Sequence, residues 1–566
     1  MPFTAPITEQ RFILDHIVRL GELAATDRFA AASDDVIDAV LEGIGQFAAG
    51  EWAPLARAGD TVGAKWTADG VVMPAGYPQA YRAFVEGGWG TIGAPEAFGG
   101  QGLPFTIQTA VLETLGTANM GFALCPILTV GAIEALAHHG TPEQQAAYLP
   151  RLTTGEWTGT MNLTEPQAGS DVGALKTMAK PRGDGSWSIK GTKIFISFGD
   201  HDMAENIVHL VLARTPDAPA GTRGISLFLV PKYRLDADGN PGAFNDVRVV
   251  SIEHKMGLHA SPTCVLSFGD HDDCIGHLIG AEHAGMRAMF TMMNNARLNV
   301  GLQGVQVAEG ATQKAVEYAR ERIQGTRGGQ PTAIIEFPDV RRMLMRMKAQ
   351  TLAARALVYY AAGQVDYAGL GDAAAKDRLE LVTPLAKAHA TDIGNEVASL
   401  GVQIHGGMGF IEETGAAQFF REARITPIYE GTNGIQAADL VGRKLALSNG
   451  GAFSSLIADI RAEAQDAGLI ALVDACERIG RRLQTADADD RLAASYPFLN
   501  MLSVATAGWL VERLARESAD DAPGRTRRAI AAFYLAQILP EASGQIAAAE
   551  ADASALYRLD ADAFMA

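Results

Sequence analysis

The sequence predicts a mainly α-helical protein with a β domain in its middle and a further helical domain at its end. Two observations carry this reading. Hydrophobic residues recur at helical spacing over most of the chain, and between Trp157 and about Gly280 that texture gives way to short alternating runs separated by Gly, Asp and Pro turns. At 566 residues, 48% hydrophobic and 20% charged, the chain has material for several domains and a large buried core.

Taken in order, residues 1–155 form an N-terminal helical domain, with helical periodicity in "DDVIDAVLEGIGQFAAGEW" and "FTIQTAVLETLGTANMGFALCPILTVGAIEALAHHG" and a loop at "GAPEAFGGQGLP". Residues 156–282 form the β domain, its strands read from "SWSIKGTKIFIS", "NIVHLVLART", "GISLFLVPKY" and "CVLSFGD". Helical periodicity returns over 283–447, as in "GMRAMFTMMNNARLNVGLQGVQVAEGATQKAVEYARERI" and "FPDVRRMLMRMKAQTLAARALVYYAAGQV". "SNGGAFSS" then serves as a linker into a helical extension, 448–566, whose amphipathic segment "YPFLNMLSVATAGWLVERLARES" is expected to pack on the core rather than on a membrane. No repeat of fixed period is present.

The charge of −18 argues against general attraction to nucleic acid or anionic lipid, so an anionic ligand must find a local basic pocket. Cys125, Cys264, Cys274 and Cys476 show no CxxC or other metal-ligand spacing and read as free thiols of a reducing cytoplasm; no metal is expected. The first residues, "MPFTAPITEQRFILDHIVRL", have no basic region followed by an apolar core and read as a helix rather than a leader. No run reaches ~18 uninterrupted apolar residues, and no membrane association is expected.

One stretch raises a chemical question. In "RITPIYEGTNGIQAADL", 424–440, Glu430 stands as a lone carboxylate between Tyr429 and Gly431. A helix-N-terminal acid complementing the macrodipole is the plainer reading of such a residue taken by itself. Elsewhere, "TEPQAGSD" has the small, turn-forming residues that bring backbone amides and short hydroxyls up to a planar ring.

Five separated segments, "MNLTEPQAGSDVGALKT", "IKGTKIFIS", "KMGLHASPT", "VQIHGGMGF" and "IYEGTNGIQ", together resemble the flavin-dependent acyl-CoA dehydrogenases, in the right order and over about residues 40–446. Length, "ARERIQG" and the C-terminal helices are most similar to the long bacterial members that include the 3-methylthiopropanoyl-CoA dehydrogenases. The resemblance implies the acyl-CoA dehydrogenase fold: an N-terminal helical domain, a middle β-barrel domain and a C-terminal four-helix bundle, here with the extra helical domain. It also implies FAD as cofactor, an acyl-CoA as substrate, α-proton abstraction with β-hydride loss to give a trans-2-enoyl-CoA, and Glu430 as the base. A base for so weak an acid must be desolvated, and the thioester carbonyl must be held by hydrogen bonds. Some members place the base on the helix bearing "MMNNARLNVG", where this chain has no acid at 292–296.

By the same resemblance Thr164 and Ser170 contact the isoalloxazine and bound ligands. Phe195 and Ser197 stand where tryptophan and threonine are common, keeping a stacking face and a hydroxyl, and Met161 stands where tyrosine is common. Arg297 matches an arginine that pairs with CoA, with Asn294 where an aspartate is usual. Tyr429 and Gly431 line the substrate, the glycine allowing close approach. Arg322, Gln403, Gly406 and Gly407 match positions that hold the pyrophosphate and ADP part of a neighbouring subunit's FAD, although Gly325 replaces the usual phenylalanine. Thr432 matches a flavin-adenine contact; Gly434, in place of a glutamine, is not assigned. His405, beside two glycines, reads as structural. Cofactor contacts shared between subunits imply a homodimer or higher homo-oligomer, and an electron-transferring flavoprotein is the expected acceptor. The rivals are an oxidase that passes electrons to oxygen and a DNA-associated flavin protein without dehydrogenation. Net charge and Glu430 speak against the latter. A short acyl or 3-methylthiopropanoyl chain is the expected substrate.

Overall fold

A computed structural model describes residues 3–565, with the Asn294 side chain outside the described residues. The described chain resolves into two units, residues 39–296 in one and residues 3–38 with 297–565 in the other.

In the first unit the longest helix is α1 (Phe105–His139), buried on nearly every side. It is long and apolar enough to cross a membrane by length and composition, yet 83% of its most apolar window is buried inside the fold, as befits the central helix of a large core. Its backbone is interrupted at Asn119, whose side-chain oxygen accepts from Phe122 N at 3.2 Å and restarts the helix. A short antiparallel hairpin, Lys65–Thr67 with Gly70–Val72, sits in a region read as helical; its turn uses Gly70 at φ +125°, which a helix does not accommodate.

The β domain holds strands β1 (Trp157–Asn162), β2 (Met178–Pro181), β3 (Trp187–Ser197), β4 (Asn206–Arg214), β5 (Ile225–Pro231), β6 (Val247–Ile252), β7 (Thr263–Phe268) and β8 (Ile275–Ile279). Their order is β6-β7-β3-β8-β5-β4-β1, and β2 pairs with both β3 and β4, which closes part of the path into a ring. Both faces are covered. On β4, Val208, Leu210 and Leu212 join a cluster with Ala132 and Leu136 of α1, while Val211 and Ala213 join Phe228, Val230, Leu266 and Phe268. That two-sided burial is why "NIVHLVLAR" lacks a polar half.

The second unit is built on helices α2 (Gly285–Glu321, from Arg297 onward), α3 (Pro338–Gly369), α4 (Ala373–His405), α5 (Asn433–Gly442) and α6 (Ser495–Glu517). The extension is not a separate body: α6 packs against α3, α4 and α5, burying Phe498, Leu502 and Trp509. Two features correct the sequence reading. Residues 3–38 belong with this unit rather than with a 1–155 helical domain, because Ile13, Leu14, Ile17 and Val18 are buried here. Tyr367 Oη donates to Val18 O at 3.2 Å, and Arg527 lies 3.7 Å from the Phe12 ring centroid while bonding Glu9 at 3.0 Å. Second, the helical run expected over 283–447 is broken by a hairpin of β9 (Ile323–Arg327) and β10 (Gln330–Ala333), where Gly325, Gly328 and Gly329 take φ of +74°, +61° and +80°.

Helices α2 and α4 approach backbone to backbone at Gly304 and Gly394: a Cβ on Gly304 would stand 2.1 Å from Ala390 O, and one on Gly394 2.9 Å from Gly304 Cα. Gly304→Ala should therefore lower stability by about 1–3 kcal/mol through overpacking, read as a lower urea midpoint at unchanged m-value.

Candidate functional site

The loop before α5 is shaped by two successive left-handed residues, Glu430 at φ +54° and Gly431 at φ +82°. For a glutamate this conformation costs on the order of 1–3 kcal/mol and persists only where the surroundings fix it. They do so here. Thr432 caps α5 by accepting from Ile435 N at 3.1 Å, Asn433 N donates to Pro427 O at 2.9 Å, and Gln436 Nε2 donates to Gly431 O at 3.3 Å. The Tyr429 hydroxyl donates to Gln303 Oε1 on α2. Glycine at 431 is also demanded by space, since a Cβ would come within 2.7 Å of Gln436 Nε2.

Glu430 is half-buried by accessible surface, so its desolvation is that of a concave site rather than a sealed interior. Burial pushes its carboxyl up to about 7, against the opposing pull of Arg297 and Lys387. Arg297, 8% exposed, has a buried Nε with no hydrogen-bond partner among the described residues, and burial lowers its affinity for the proton while Asp439 and Glu430 support its charge. Lys387, on α4, is fully buried and donates from Nζ to Asn433 Oδ1 at 2.9 Å; burial lowers it to about 8. Burial and then the Glu430 charge push the Tyr429 phenol well up. A carboxyl near neutrality, faced by two cations, is equipped to accept a proton from a weak carbon acid.

Of the residues singled out from the sequence, Glu430, Tyr429, Gly431, Thr432 and Arg297 come together here; Lys387, Gln303 and Asn433 were not among those singled out. Lys387 had a signal: it is the one charge in "LVTPLAKAHAT", where a solvated lysine has no place on so apolar a helix.

In the other unit, "TEPQAGSD" is anchored to β3 by a buried ion pair that the sequence did not reveal. Lys193 Nζ bonds Glu165 Oε1 at 2.8 Å and Leu163 O at 2.9 Å, and the Glu165 carboxylate also accepts from Lys176 N at 2.6 Å and Thr177 N at 3.0 Å. Burial works to raise Glu165, but Lys193 and these hydrogen bonds prevail and hold it down at about 2. Ile194 N donates to Thr164 O at 3.0 Å, tying the loop to the residue before Phe195. A register shift between β7 and β3 leaves Phe195 at φ +60° and 59% exposed, a bulge that turns an aromatic face outward. Half-buried Thr164 and Ser197 and exposed Ser170 supply hydroxyls in the same region, and Met161 packs against the adjoining core. An open aromatic face flanked by hydroxyls and loop amides fits a planar, multiply hydrogen-bonded ring.

Arg322 is exposed at the junction of α2 and β9, and its carbonyl accepts from Ile334 N at 2.9 Å. Gln403, Gly406 and Gly407 are exposed around the end of α4, with Gly406 at φ +59°. His405 is held by Gly401 O at 2.7 Å and stacks on Tyr318 at 4.4 Å, the structural role expected of it. Asn294 falls on α2, but its side chain lies outside the described residues. Among the described residues no cluster of His, Cys, Asp and Glu is arranged to hold a metal ion.

Comparison with known proteins gives four family matches along the chain: acyl-CoA dehydrogenase N-terminal domain (36–156), middle domain (160–271) and C-terminal domain (283–445), and acetyl-CoA dehydrogenase C-terminal like (452–560). The chain is 44% identical to the 3-methylmercaptopropionyl-CoA dehydrogenase of Ruegeria pomeroyi, covering 96% of this chain and 97% of that one. It is 38% identical to a butyryl-CoA dehydrogenase of Syntrophomonas wolfei over 69% of this chain and 66% of the relative. An acyl-CoA dehydrogenase from Bacillus anthracis, solved complexed with FAD, shares the fold with a TM-score of 0.75 at 22% identity, over 94% of this chain and 91% of that one.

Lys193→Met should destabilise the protein by about 3–5 kcal/mol, because it strands the Glu165 carboxylate in the interior. Urea unfolding is the measurement, and Lys193→Met with Glu165→Gln should regain part of the loss.

Proposed function

Since the chain belongs to the acyl-CoA dehydrogenase family, we propose that it oxidises an acyl-CoA to a trans-2-enoyl-CoA, with Glu430 taking the α-proton. The observation that carries the assignment is the left-handed turn at Glu430 and Gly431, fixed by Thr432, Gln436 and the Tyr429–Gln303 contact, which holds the carboxyl in a desolvated place where burial raises it to about 7 against Arg297 and Lys387. Relative to an ordinary glutamate at 4.5, it holds a proton about two to three powers of ten more tightly. The two cations keep a useful fraction ionised at neutral pH, so the group is both a stronger base and available. FAD, when bound, supplies the acceptor for the β-hydride. Phe195, Thr164, Ser170 and Ser197 are the residues that would hold its ring, whereas Arg322, Gln403, Gly406 and Gly407 would hold the pyrophosphate and ADP part of a neighbouring subunit's FAD, and Thr432 would contact flavin adenine. The Glu430 N–H, left free to approach by Gly431, would help hold the thioester carbonyl, with Tyr429 alongside it. Arg297, whose Nε has no hydrogen-bond partner among the described residues, is suited to an anionic part of the substrate, and Asn294 would assist.

The name of the Ruegeria relative and its match over almost the full length support a short 3-methylthiopropanoyl or comparable acyl chain as substrate. The family implies an electron-transferring flavoprotein as acceptor and a homodimer or larger assembly. Four buried free cysteines accord with a cytoplasmic location.

Glu430→Gln should keep its flavin and bind acyl-CoA but lose turnover by about 10²–10⁴-fold or more, because the amide preserves shape and cannot accept a proton. Anaerobic addition of acyl-CoA thioesters from methylthio and short chains to long ones should bleach the oxidised flavin band of the wild type most readily with the short chains. Flavin that no thioester bleaches would favour a member without dehydrogenation. The pH profile supplies an independent check. A base must be ionised to act, so kcat/KM should rise about tenfold per pH unit below an acid limb near 7, the value for the free site, and flatten above it.

A further inference from the structure

We propose that Lys387 is a positioning residue for the base and that the C-terminal extension holds it there through a hydrogen-bond chain from Tyr496 by way of Asp392 and Asn433. The inference rests on Glu430 as the base. Tyr496, in the first turn of α6, donates its hydroxyl to Asp392 Oδ2 at 2.6 Å. The other carboxylate oxygen, Oδ1, accepts from Asn433 Nδ2 at 2.9 Å, and Asn433 Oδ1 accepts from Lys387 Nζ at 2.9 Å.

The amide of Asn433 is oriented by its neighbours on both sides. Its nitrogen faces acceptors, Asp392 Oδ1 and Ala388 O at 3.1 Å, so its oxygen must face the ammonium. Thr391 Oγ1, within 2.9 Å of the amide nitrogen, adds a further fixed contact. Lys387 has no exposed surface and Asn433 only 3%, so neither group can exchange its partner for water without local opening. Asn433 is also the first residue of α5, two positions beyond Gly431, and its backbone N–H closes the Glu430 loop onto Pro427 O. The same residue thus fixes both the loop that carries the base and the cation that faces it.

The charged groups acting on this line are few. Glu430 feels Arg297 and Lys387; Lys387 feels Glu430, Asp392 and Arg297; Asp392 feels Lys387 and Arg424. Arg297 in turn feels Asp439 and Arg443. Without the Tyr496 hydroxyl, Asp392 Oδ2 loses its donor, the carboxyl takes up a proton more readily, and the Asn433–Lys387 contact loses its anchor.

Two readouts on the flavin-loaded enzyme test the proposal. One is the acid limb of kcat/KM; the other, made without substrate, is the titration of the Glu430 carboxyl by infrared difference spectroscopy, assigned by its loss in Glu430→Gln. Lys387→Met should move both midpoints up by about one pH unit or more, since an opposite charge near the carboxylate is lost. Lys387→Arg should restore them most of the way, and Tyr496→Phe should shift both upward by a smaller amount. An unmoved carboxyl midpoint in Lys387→Met, or in Tyr496→Phe with only the melting temperature changed, would overturn the proposal. Should Lys387→Met not fold, Tyr496→Phe, at a side chain 40% exposed, decides it. Full turnover in Glu430→Gln would instead sink the base assignment, while the infrared titration would still report whether Lys387 acts on Glu430.

Discussion

The constraint on which the Glu430 loop depends is that one carboxyl must sit in a desolvated place and still be able to ionise. A buried glutamate without compensation simply stays protonated, and one with a direct ion pair stays ionised. Glu430 occupies the interval between these limits because burial raises it while Arg297 and Lys387 pull the other way. Holding that balance needs a fixed backbone. The left-handed turn at Glu430 and Gly431 supplies it, at a local cost that the cap at Thr432, the Gln436 side chain and the Tyr429–Gln303 contact together offset.

Glu165 shows the opposite solution with the same side chain. Burial raises both acids, but Glu165 bonds Lys193 directly and takes two backbone N–H groups besides, so it is held near 2 and cannot serve as a base at neutral pH. Its work is mechanical: it fixes the turn after Thr164 against the strand that presents Phe195. Direct contact and full hydrogen bonding mark a structural carboxylate, and charge at one remove marks a reactive one.

Much of this was legible in the sequence. Alternation and helical spacing gave the helix, β, helix order, and "YEGT" after a proline turn singled out Glu430 in its five-motif setting. The hairpin over 323–333 was overlooked because helical spacing on both sides masked a short Gly-rich break. The first 38 residues were assigned by adjacency in sequence, whereas their place was decided by which apolar face they could cover. Lys387 and the Glu165–Lys193 pair were missed for a related reason. Each is defined by a partner dozens of residues away or by complete burial, and neither quantity is encoded in local spacing.

The extension completes the picture, since its position explains why it is more than added length. Residues buried on α6 face α3, α4 and α5, the last being the helix that begins at the Glu430 loop. The N-terminal segment is fastened to the extension in turn, through Arg527 with Phe12 and Glu9. A loop that carries strain needs stiff neighbours, and a short helix such as α5 has little stiffness of its own. Covering it with a 23-residue helix supplies packing that Thr432 and Asn433 alone do not give. The polar line from Tyr496 then has a reason to run where it does: it passes from α6 through Asp392 of α4 to Asn433, the residue at which α5 begins and the Glu430 loop is closed.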